Sequence, residues 1–297
     1  MSVTDIFTFK YEPTTLDEMI LHPDIEPILQ KSITEIPNLM LIGPPGVGKG
    51  TFTNIFLKET GLDYMKINCS DETGIDNLRT KVKSFATALG ITKLKIVVMN
   101  ESDGLSLQGQ AMLRDLMEQV QSITRFVFQC NYGHKMIKEL LSRCQVIELN
   151  NPPGKKIYEH CMSILEREKI DVPKKDVVVN IIRRLYPDIR RIINTLQMSV
   201  NNGVLDVAKF ESSTDVYGSV LQAMKSSDID GIRKLLKSNI INYPELYQYL
   251  FDEVGEFKSP GDMIIDIGEA LYRDSIIAIK EINFMAFTLK GLKEGHI

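Results

Sequence analysis

The sequence predicts an α/β protein in which a parallel β-sheet is covered by helices on both faces and is followed by a region made only of helices. Three observations lead to this prediction. Short apolar runs alternate with amphipathic helical patterns through residue 150, as in successive β-α-β units. A glycine-rich loop of the phosphate-binding type follows the first apolar run. Beyond residue 151 the strand-like runs disappear and helical periods continue to the end of the sequence.

Five short apolar runs are the strand candidates, and the segments between them have the periodicity of amphipathic helices. The run 94–99 is apolar at all but one position, which is typical of a strand covered by helices on both faces. The strands are predicted at 38–42, 63–67, 94–99, 124–130 and 145–149, and the helices between them at 48–60, 75–89, 107–121 and 134–141.

The second half of the chain is predicted to be helical and to form two further domains. Asn201-Asn202-Gly203 has the residue types of a helix C-cap, and the polar segment 211–215 is predicted to be a linker. The predicted domains are 1–150, 151–210 and 211–297. Helices are expected at 154–169, 174–186, 188–202, 216–226, 228–238, 243–254, 262–273 and 275–292.

The composition of the 297 residues is that of an ordinary soluble globular protein, with 43% hydrophobic and 25% charged residues. No apolar run approaches the ~20 residues of a membrane span, and the N-terminus lacks a signal-peptide pattern. The four cysteines form no C-x-x-C pair, which favours reduced thiols in the cytoplasm. A net charge of −4 argues against nucleic-acid binding over the whole surface but leaves room for a local basic stripe.

The chain is organised around the glycine-rich loop 43–51, which lies between an apolar run and an amphipathic stretch. Glycines allow backbone N–H groups to turn towards a phosphate chain, and the following helix adds the positive end of its dipole. Lys49 supplies a point charge for the β- and γ-phosphates. The loop predicts a nucleoside triphosphate site, or descent from a chain that had one. The nucleotide contacts are assigned to Gly43, Pro45, Gly46, Val47, Gly48, Lys49, Gly50 and Thr51.

Two positions depart from the usual magnesium site of such loops. The residue after the lysine is expected to be Ser or Thr, whose hydroxyl binds Mg²⁺, but it is Gly50, and Thr51 comes one place later. The run 95–103 is a buried strand that ends in acidic residues, and Asn100 stands where such a strand carries an Asp for the metal. Glu101 follows it. The candidate metal ligands are therefore Thr51, Asn100 and Glu101, at a weakened site.

Several motifs occur in the order found in one known family. They are Lys10-Tyr11-Glu12-Pro13, similar to K-Y-R-P; I-N-C-S-D-E-T-G-I-D at 67–76, similar to N-A-S-D-E-R-G-I-D; Q-A-M-L-R-D-L-M-E at 110–118, which matches Q-x-x-L-R-x-x-M-E; Asn131; Ser142-Arg143-Cys144; and P-D-I-R-R at 187–191. On these residues, across nearly its whole length, the chain resembles the AAA+ clamp-loader ATPases, namely the small subunits of replication factor C and of bacteriophage clamp loaders.

The resemblance implies that the protein uses ATP and Mg²⁺. It implies an AAA+ nucleotide-binding domain at 1–150, a helical lid at 151–210 and a helical collar at 211–297 that holds subunits in a ring. Tyr11 and Pro13 would pack near the adenine. Glu12 replaces the arginine that this family has at its position.

The resemblance also implies the catalytic residues. Glu101 would activate the attacking water, and Asn131, the sensor-1 residue, would orient this water or the γ-phosphate. Arg143, in the arginine-finger motif, would reach the γ-phosphate bound in a neighbouring subunit. Arg190, in the sensor-2 segment, would reach the phosphate in its own subunit and draw the lid onto the nucleotide-binding domain.

DNA contacts are expected at the start of two helices that line the inside of the ring in this family. Backbone amides at a helix N-terminus can bind phosphates without side-chain charge. The first helix begins near Ile75 and the second near Leu107. The basic residue usual before the glycine is replaced by Thr73, which weakens the expected grip. The candidate DNA contacts are Thr73, Gly74, Ile75 and Arg79.

The resemblance predicts an ATP-dependent loader that opens a ring-shaped sliding clamp and places it on primer–template DNA. Its partners would be the clamp, the DNA, further copies of the chain and one distinct large subunit, in the cytoplasm, or in that of the host if the chain is phage-encoded. An active but slow ATPase is expected because Gly50 and Asn100 replace usual magnesium-site residues. The alternatives are a non-hydrolysing subunit that donates Arg143, an adenylate-kinase-like phosphotransferase, and another AAA+ machine such as a branch-migration motor or an initiator-type ATPase.

Overall fold

A computed structural model describes residues 6–70, 74–88, 92–205, 208–239 and 241–297, and for 208–215 it describes the backbone alone. The chain forms two compact units, Met1–Leu205 and Asp206–Ile297. The domain boundaries predicted after residues 150 and 210 remain predictions. Among the described residues, no helix combines the length and apolar character needed to cross a bilayer.

A five-stranded parallel sheet forms the centre of the first unit. Its strands are β1 (Leu39–Ile42), β2 (Asp63–Asn68), β3 (Lys95–Asn100), β4 (Thr124–Cys130) and β5 (Gln145–Glu148). They lie in the order β2-β3-β4-β1-β5, and every pairing is parallel. The predicted α/β class is confirmed, and each strand lies within one residue of its predicted bounds.

Helices cover both faces of this sheet. They are α2 (Glu26–Glu35), α3 (Lys49–Thr60), α4 (Ile75–Thr87), α5 (Leu107–Val120) and α6 (Lys138–Leu141). A short N-terminal helix, α1 (Phe7–Lys10), packs instead through Phe7 on Ile164 and Ile193, further along the chain. Alternate residues of β1 enter different cores, since Met40 packs with α4 and α5 whereas Leu39 and Leu41 pack with α2 and α3. This alternation is the period-2 geometry of a strand. The helix predicted at 134–141 is shorter, because 133–135 is a 3₁₀ turn and α6 begins at Lys138.

Three helices and a small hairpin complete the first unit. The helices are α7 (Gly154–Arg167), α8 (Lys175–Leu185) and α9 (Ile189–Met198), and the hairpin pairs β6 (Val200–Asn201) with β7 (Val204–Leu205). The expectation of helix up to residue 202, with no strand beyond 151, was wrong. Asn202 and Gly203 have φ values of +51° and +79°, and an Asn-Gly pair with two positive φ angles favours a two-residue hairpin turn over a helix cap.

The second unit is helical, as predicted. It contains α10 (Ala208–Lys225), α11 (Ile229–Ser238), α12 (Tyr243–Asp252), α13 (Pro260–Asp274) and α14 (Lys280–Glu294). The predicted linker at 211–215 was wrong because α10 runs through it. Ser, Thr and Asp each cost at most about 0.7 kcal/mol in a helix relative to Ala. Burial of Tyr217, Val220 and Met224 on the same helix outweighs that local preference.

Candidate active site

The sheet brings the ends of three neighbouring strands together. Register pairs Ile42 of β1 with Cys130 of β4, and Met99 of β3 with Phe128 of β4. The carboxyl ends of β3, β4 and β1 therefore lie side by side at one edge. The residues that follow them are Glu101, Asn131 and Gly43, which the sequence assigned to one site.

The loop between β1 and α3 contains two glycines in the left-handed backbone conformation. Gly46 and Gly48 have φ values of +76° and +99°, a region that favours glycine. A Cβ atom on Gly46 would lie 1.7 Å from Oδ1 of Asp188, and one on Gly43 would lie 2.6 Å from the carbonyl oxygen of Leu149. The loop therefore requires glycine at these positions, and its amides remain close to the start of α3.

Lys49 is held at the centre of the loop by three neutral oxygens. Its Nζ donates to the carbonyl oxygens of Gly43 (2.6 Å) and Pro44 (2.9 Å) and to Oδ1 of Asn131 (2.9 Å). Burial lowers the pKa of the ammonium group, although Asp103 and Asp188 nearby favour its charged form. Phosphate oxygens would give this cation an anionic partner. The structure thus brings Lys49 and Asn131, 82 positions apart in sequence, into direct contact.

A cavity of about 690 Å³ opens beside the loop, a volume within the usual range for small-molecule sites. Its walls come from three parts of the chain, namely the N-terminal segment, the loop with the start of α3, and helices α7 and α9. Pro45 instead lines a second cavity on the other side of the loop, together with Asn131. The predicted nucleotide contacts that line the first cavity are Tyr11, Pro13, Gly46, Val47, Gly48, Thr51 and Arg190.

Hydrogen bonds tie the N-terminal segment to α7 and α9. Tyr11 donates its hydroxyl to Oε1 of Glu168 (2.5 Å), and the Lys10 ammonium lies 2.6 Å from the same oxygen. The Phe7 N–H donates to Oε1 of Gln197 (3.0 Å). Burial, followed by the Glu168 carboxylate, raises the pKa of Tyr11. These bonds hold Tyr11 at the end of α7 and Phe7 on α9, the helix that also carries Arg190. The N-terminal segment and these helices thus form adjoining walls of the cavity.

The candidate metal ligands do not all converge. Asn100 Oδ1 is buried and has no hydrogen-bond partner among the described residues. Asn100 ends β3 at the same edge of the sheet as the loop, and an orphaned amide oxygen there fits Mg²⁺, which prefers oxygen ligands. Glu101 follows Asn100 in a left-handed conformation (φ +53°) and accepts a hydrogen bond from the Ser70 hydroxyl. Thr51 Oγ1 instead lies 3.5 Å from Oε1 of Glu12, on the side of the 690 Å³ cavity, because one helical position turns the side chain by about 100° from Gly50.

The space at Gly50 allows a direct test of the missing metal ligand. A Cβ atom there would meet Oε1 of Gln129 at 4.0 Å, which is ordinary contact. Gly50→Ser therefore fits, and it returns a hydroxyl to the position where such loops bind Mg²⁺. Losing outer-shell partners of a metal costs about 10–100-fold in affinity or activity, so regaining a direct ligand is expected to lower the half-maximal Mg²⁺ concentration for ATP turnover by about 10-fold.

Gly50→Ala is the matched control, because it adds a Cβ atom at the same place without adding an oxygen. It should leave the Mg²⁺ requirement at the wild-type value. Identical Mg²⁺ titrations for the serine and alanine variants would show that a missing hydroxyl does not limit this site.

Arg143 lies at the opposite edge of the sheet. Its carbonyl oxygen accepts a hydrogen bond from Asn38 (3.4 Å), the residue immediately before β1, and Leu39 is in register with Gln145. The phosphate-binding loop begins after Ile42, at the other end of β1. Four residues at about 3.3 Å per residue separate the two ends by roughly 13 Å. The structure therefore does not bring Arg143 to the loop of its own chain.

The candidate DNA residues lie at the start of α4. Gly74 is its N-cap residue, Ile75 begins the helix, and the Arg79 side chain is exposed. Thr73 lies outside the described residues. Helices α4 and α5 pack together, and each follows a strand of the parallel sheet, so their N-termini face the same edge as the loop. Leu107, the first residue of α5, is 70% exposed.

Sequence reasoning missed three side chains at this site. Asp103 accepts a hydrogen bond from the N–H of Asn131 (3.3 Å), and its place after Glu101 in an acidic run could have indicated it. Asp188 caps α9 and packs on Gly46, within a motif used only for Arg190. His160 of α7 lines the 690 Å³ cavity, and burial lowers its pKa. No local pattern marks His160.

The chain is similar to known proteins over most of its length. The family model "ATPase family associated with various cellular activities (AAA)" matches residues 39–151, and the model "Sliding-clamp-loader large subunit, AAA+ ATPase lid domain" matches 154–208. Among solved structures, a mutant of RuvB from Thermotoga maritima has a TM-score of 0.56 at 14% identity, covering 82% of this chain and 92% of that one. The similarity to RuvB concerns the fold alone.

Two relatives carry the assignment to a family. The replication factor C small subunit of Natronomonas pharaonis is 30% identical, over 98% of this chain and 96% of its own length. The sliding-clamp-loader large subunit of Escherichia phage RB69 is also 30% identical, over 88% of this chain and 86% of its own length. These similarities favour neither a kinase nor a branch-migration motor. The chain is an AAA+ ATPase and belongs to the family of clamp-loader subunits that includes the replication factor C small subunit.

Proposed function

We propose that this protein is a subunit of a ring that uses ATP to open a sliding clamp and place it on primer–template DNA. The observation that carries the proposal is the position of Arg143, at the sheet edge opposite the phosphate-binding loop. A residue of the arginine-finger type that cannot reach its own nucleotide is useful only to a neighbour. Each ATP site would then be completed by the next subunit of the ring.

Within one subunit, the nucleotide would bind between the loop and the lid helices. Lys49 would exchange its contacts with the carbonyl oxygens of Gly43 and Pro44 for phosphate oxygens. Arg190, on the first turn of α9 beside the cavity, would bind the same phosphates from the other side. Binding would thereby draw α9 towards the loop, which couples ATP to the position of the lid.

Hydrolysis would depend on residues that follow β3 and β4. Mg²⁺, when bound, neutralises charge on the phosphate oxygens, and Asn100 and Glu101 would hold it directly or through water. Glu101 would accept the proton of the attacking water. Asn131, held by Lys49 and by Asp103, would orient that water or the γ-phosphate. A neutral amide at position 100 and a glycine at position 50 make slow turnover the expected behaviour.

The same residues support a second candidate, a subunit that binds ATP without hydrolysing it and donates Arg143 to its neighbour. Gly50 and Asn100 both weaken the metal site, and this observation favours the candidate. The orphaned acceptor on Asn100 and the bonded pair of Lys49 and Asn131 favour an active site. We therefore place hydrolysis first.

DNA would bind at the N-termini of α4 and α5, where the backbone amides of Gly74 and Ile75 and the exposed Arg79 can contact phosphates.

The second unit would join subunits through its exposed apolar side chains. Ile265 and Tyr272 of α13 are 63% and 71% exposed, and Ile282 of α14 is 61% exposed. Such side chains favour burial against another chain. We place further copies of the chain and one distinct large subunit in the ring, and the protein in the cytoplasm.

The test is an ATPase assay of the purified protein with and without its clamp, primed DNA and co-expressed large subunit. The proposed function predicts low turnover for the chain alone and a marked rise when all the components are present. Omission of the clamp or of the primed DNA should each remove most of that rise. Turnover that is unaffected by clamp and DNA in a fully assembled complex would contradict the proposal.

A further inference from the structure

The Arg143 guanidinium is held in place by two contacts on its own subunit. Its Nη2 donates to Oε1 of Glu118, near the end of α5, and its Nη1 donates to the carbonyl oxygen of Glu139 in α6 (2.9 Å). The pair is partly open to solvent, since the Arg143 side chain is 34% exposed and that of Glu118 is 58% exposed. The finger is therefore not an unconstrained side chain.

We propose that Glu118 is the positioning residue of the arginine finger. This inference rests on the proposed function, in which Arg143 completes the ATP site of the next subunit. Glu118 would not touch the nucleotide. It would fix the direction in which Arg143 leaves its own subunit, so that the guanidinium meets the neighbour's γ-phosphate without first having to be ordered.

The donor count of the guanidinium permits both contacts at once. Arginine has five N–H donors in a rigid fork. In Arg143, Nη2 donates to Glu118 and Nη1 donates to the Glu139 carbonyl oxygen. The N–H groups of Arg143 that are not used by Glu118 and Glu139 can bind phosphate oxygens while the bond to Glu118 remains. A flexible arginine loses considerable rotamer entropy when it is fixed, so a residue that fixes it beforehand favours catalysis rather than competing with it.

The neighbouring charges leave Glu118 available for this role. Arg114, one turn earlier on α5, donates through Nε (2.8 Å) and Nη2 (2.7 Å) to Oδ1 of Asp115. The Arg114 guanidinium is thus paired with Asp115, which raises its pKa, and the carboxylates of Glu118 and Glu139 make smaller contributions in the same direction. Glu139 holds Arg143 by its backbone, so its carboxylate is not required for the contact.

The experiment compares Glu118→Ala, Glu118→Gln and Glu139→Gln in the assembled loader with clamp and primed DNA. Exposed ion pairs are worth at most about 1 kcal/mol, so Glu118→Ala is expected to lower kcat by about 2- to 5-fold. The KM for ATP should not change, because the finger acts on the neighbour's transition state. Glu118→Gln, which keeps an acceptor oxygen, should lie between wild type and alanine. Glu139→Gln removes the same charge from the same region and should match wild type.

Arg143→Ala in the same assay separates the possible failures. If Arg143→Ala retains wild-type turnover, the finger itself is absent and the proposed function fails together with this inference. If Arg143→Ala loses turnover but Glu118→Ala does not, only the positioning role is overturned. A rise in kcat for Glu118→Ala would also overturn it, because the pair would then be a latch that holds the finger back. Ring assembly, measured by light scattering, should be equal in all variants.

Discussion

Arg143→Ala is expected to lower ATP turnover of the assembled loader by ~10³–10⁵, the range found for arginine fingers in phosphoryl transfer. The guanidinium stabilises charge that develops on the transferred phosphoryl group. The expected effect therefore falls on kcat, whereas ATP affinity should remain close to that of wild type. Steady-state turnover with clamp and primed DNA, together with binding of a fluorescent ATP analogue, gives both quantities.

Arg143→Lys is the informative companion variant. It keeps the positive charge but loses the planar fork that engages two oxygens at once. Turnover between that of the alanine variant and wild type is expected. Wild-type turnover of Arg143→Ala, in a complex shown to be assembled, would contradict the assignment of Arg143 as a finger.

Glu101→Gln is expected to lower turnover by ~10²–10⁴, the usual contribution of a general base, and to leave ATP binding intact. Glutamine has the same shape and can still accept the hydrogen bond from Ser70, but it cannot accept the proton of the attacking water. Single-turnover hydrolysis and nucleotide binding should be measured on the same preparation.

Glu59→Gln is the matched control for this variant. Glu59 is an exposed residue near the end of α3, and its change removes the same charge without touching the site. It should hydrolyse ATP at the wild-type rate. Equal turnover of wild type and Glu101→Gln would mean that the chain is not a hydrolase in its own right, which is the second candidate function.

Local sequence patterns predicted the sheet well because buried parallel strands are continuous apolar runs. β3 (Lys95–Asn100) is an example, since only one side chain in its first five residues is polar. The glycine-rich loop was predictable for a related reason, since its backbone conformation demands glycine at Gly46 and Gly48. The predicted bounds of the helices after residue 150 agreed less well with the structure. At 211–215 the local preference of polar residues was overruled by packing elsewhere on α10.

Contacts between distant parts of the chain were not predictable from local patterns. Asn131 and Arg143 became candidates only through the family resemblance, because each is unremarkable as a single residue. The bonds of Tyr11 to Glu168 and of Arg143 to Glu118 span 157 and 25 positions. They depend on how helices pack, which periodicity does not encode. Positions such as Asp188 and His160 belong to the site only because α9 and α7 are folded against the loop.

Mixing two inactive variants tests most directly the central claim that each ATP site is shared between neighbouring subunits. Lys49→Ala removes the site that binds phosphate, and Arg143→Ala removes the finger, so each homogeneous loader should be inactive. In a mixed ring, some interfaces join an intact Lys49 site to an intact Arg143 of the next subunit. Turnover is therefore expected to return in part when the variants are co-assembled and mixed rings are demonstrated by crosslinking. A mixture as inactive as either variant alone would place Arg143 in its own subunit's site and would contradict the account.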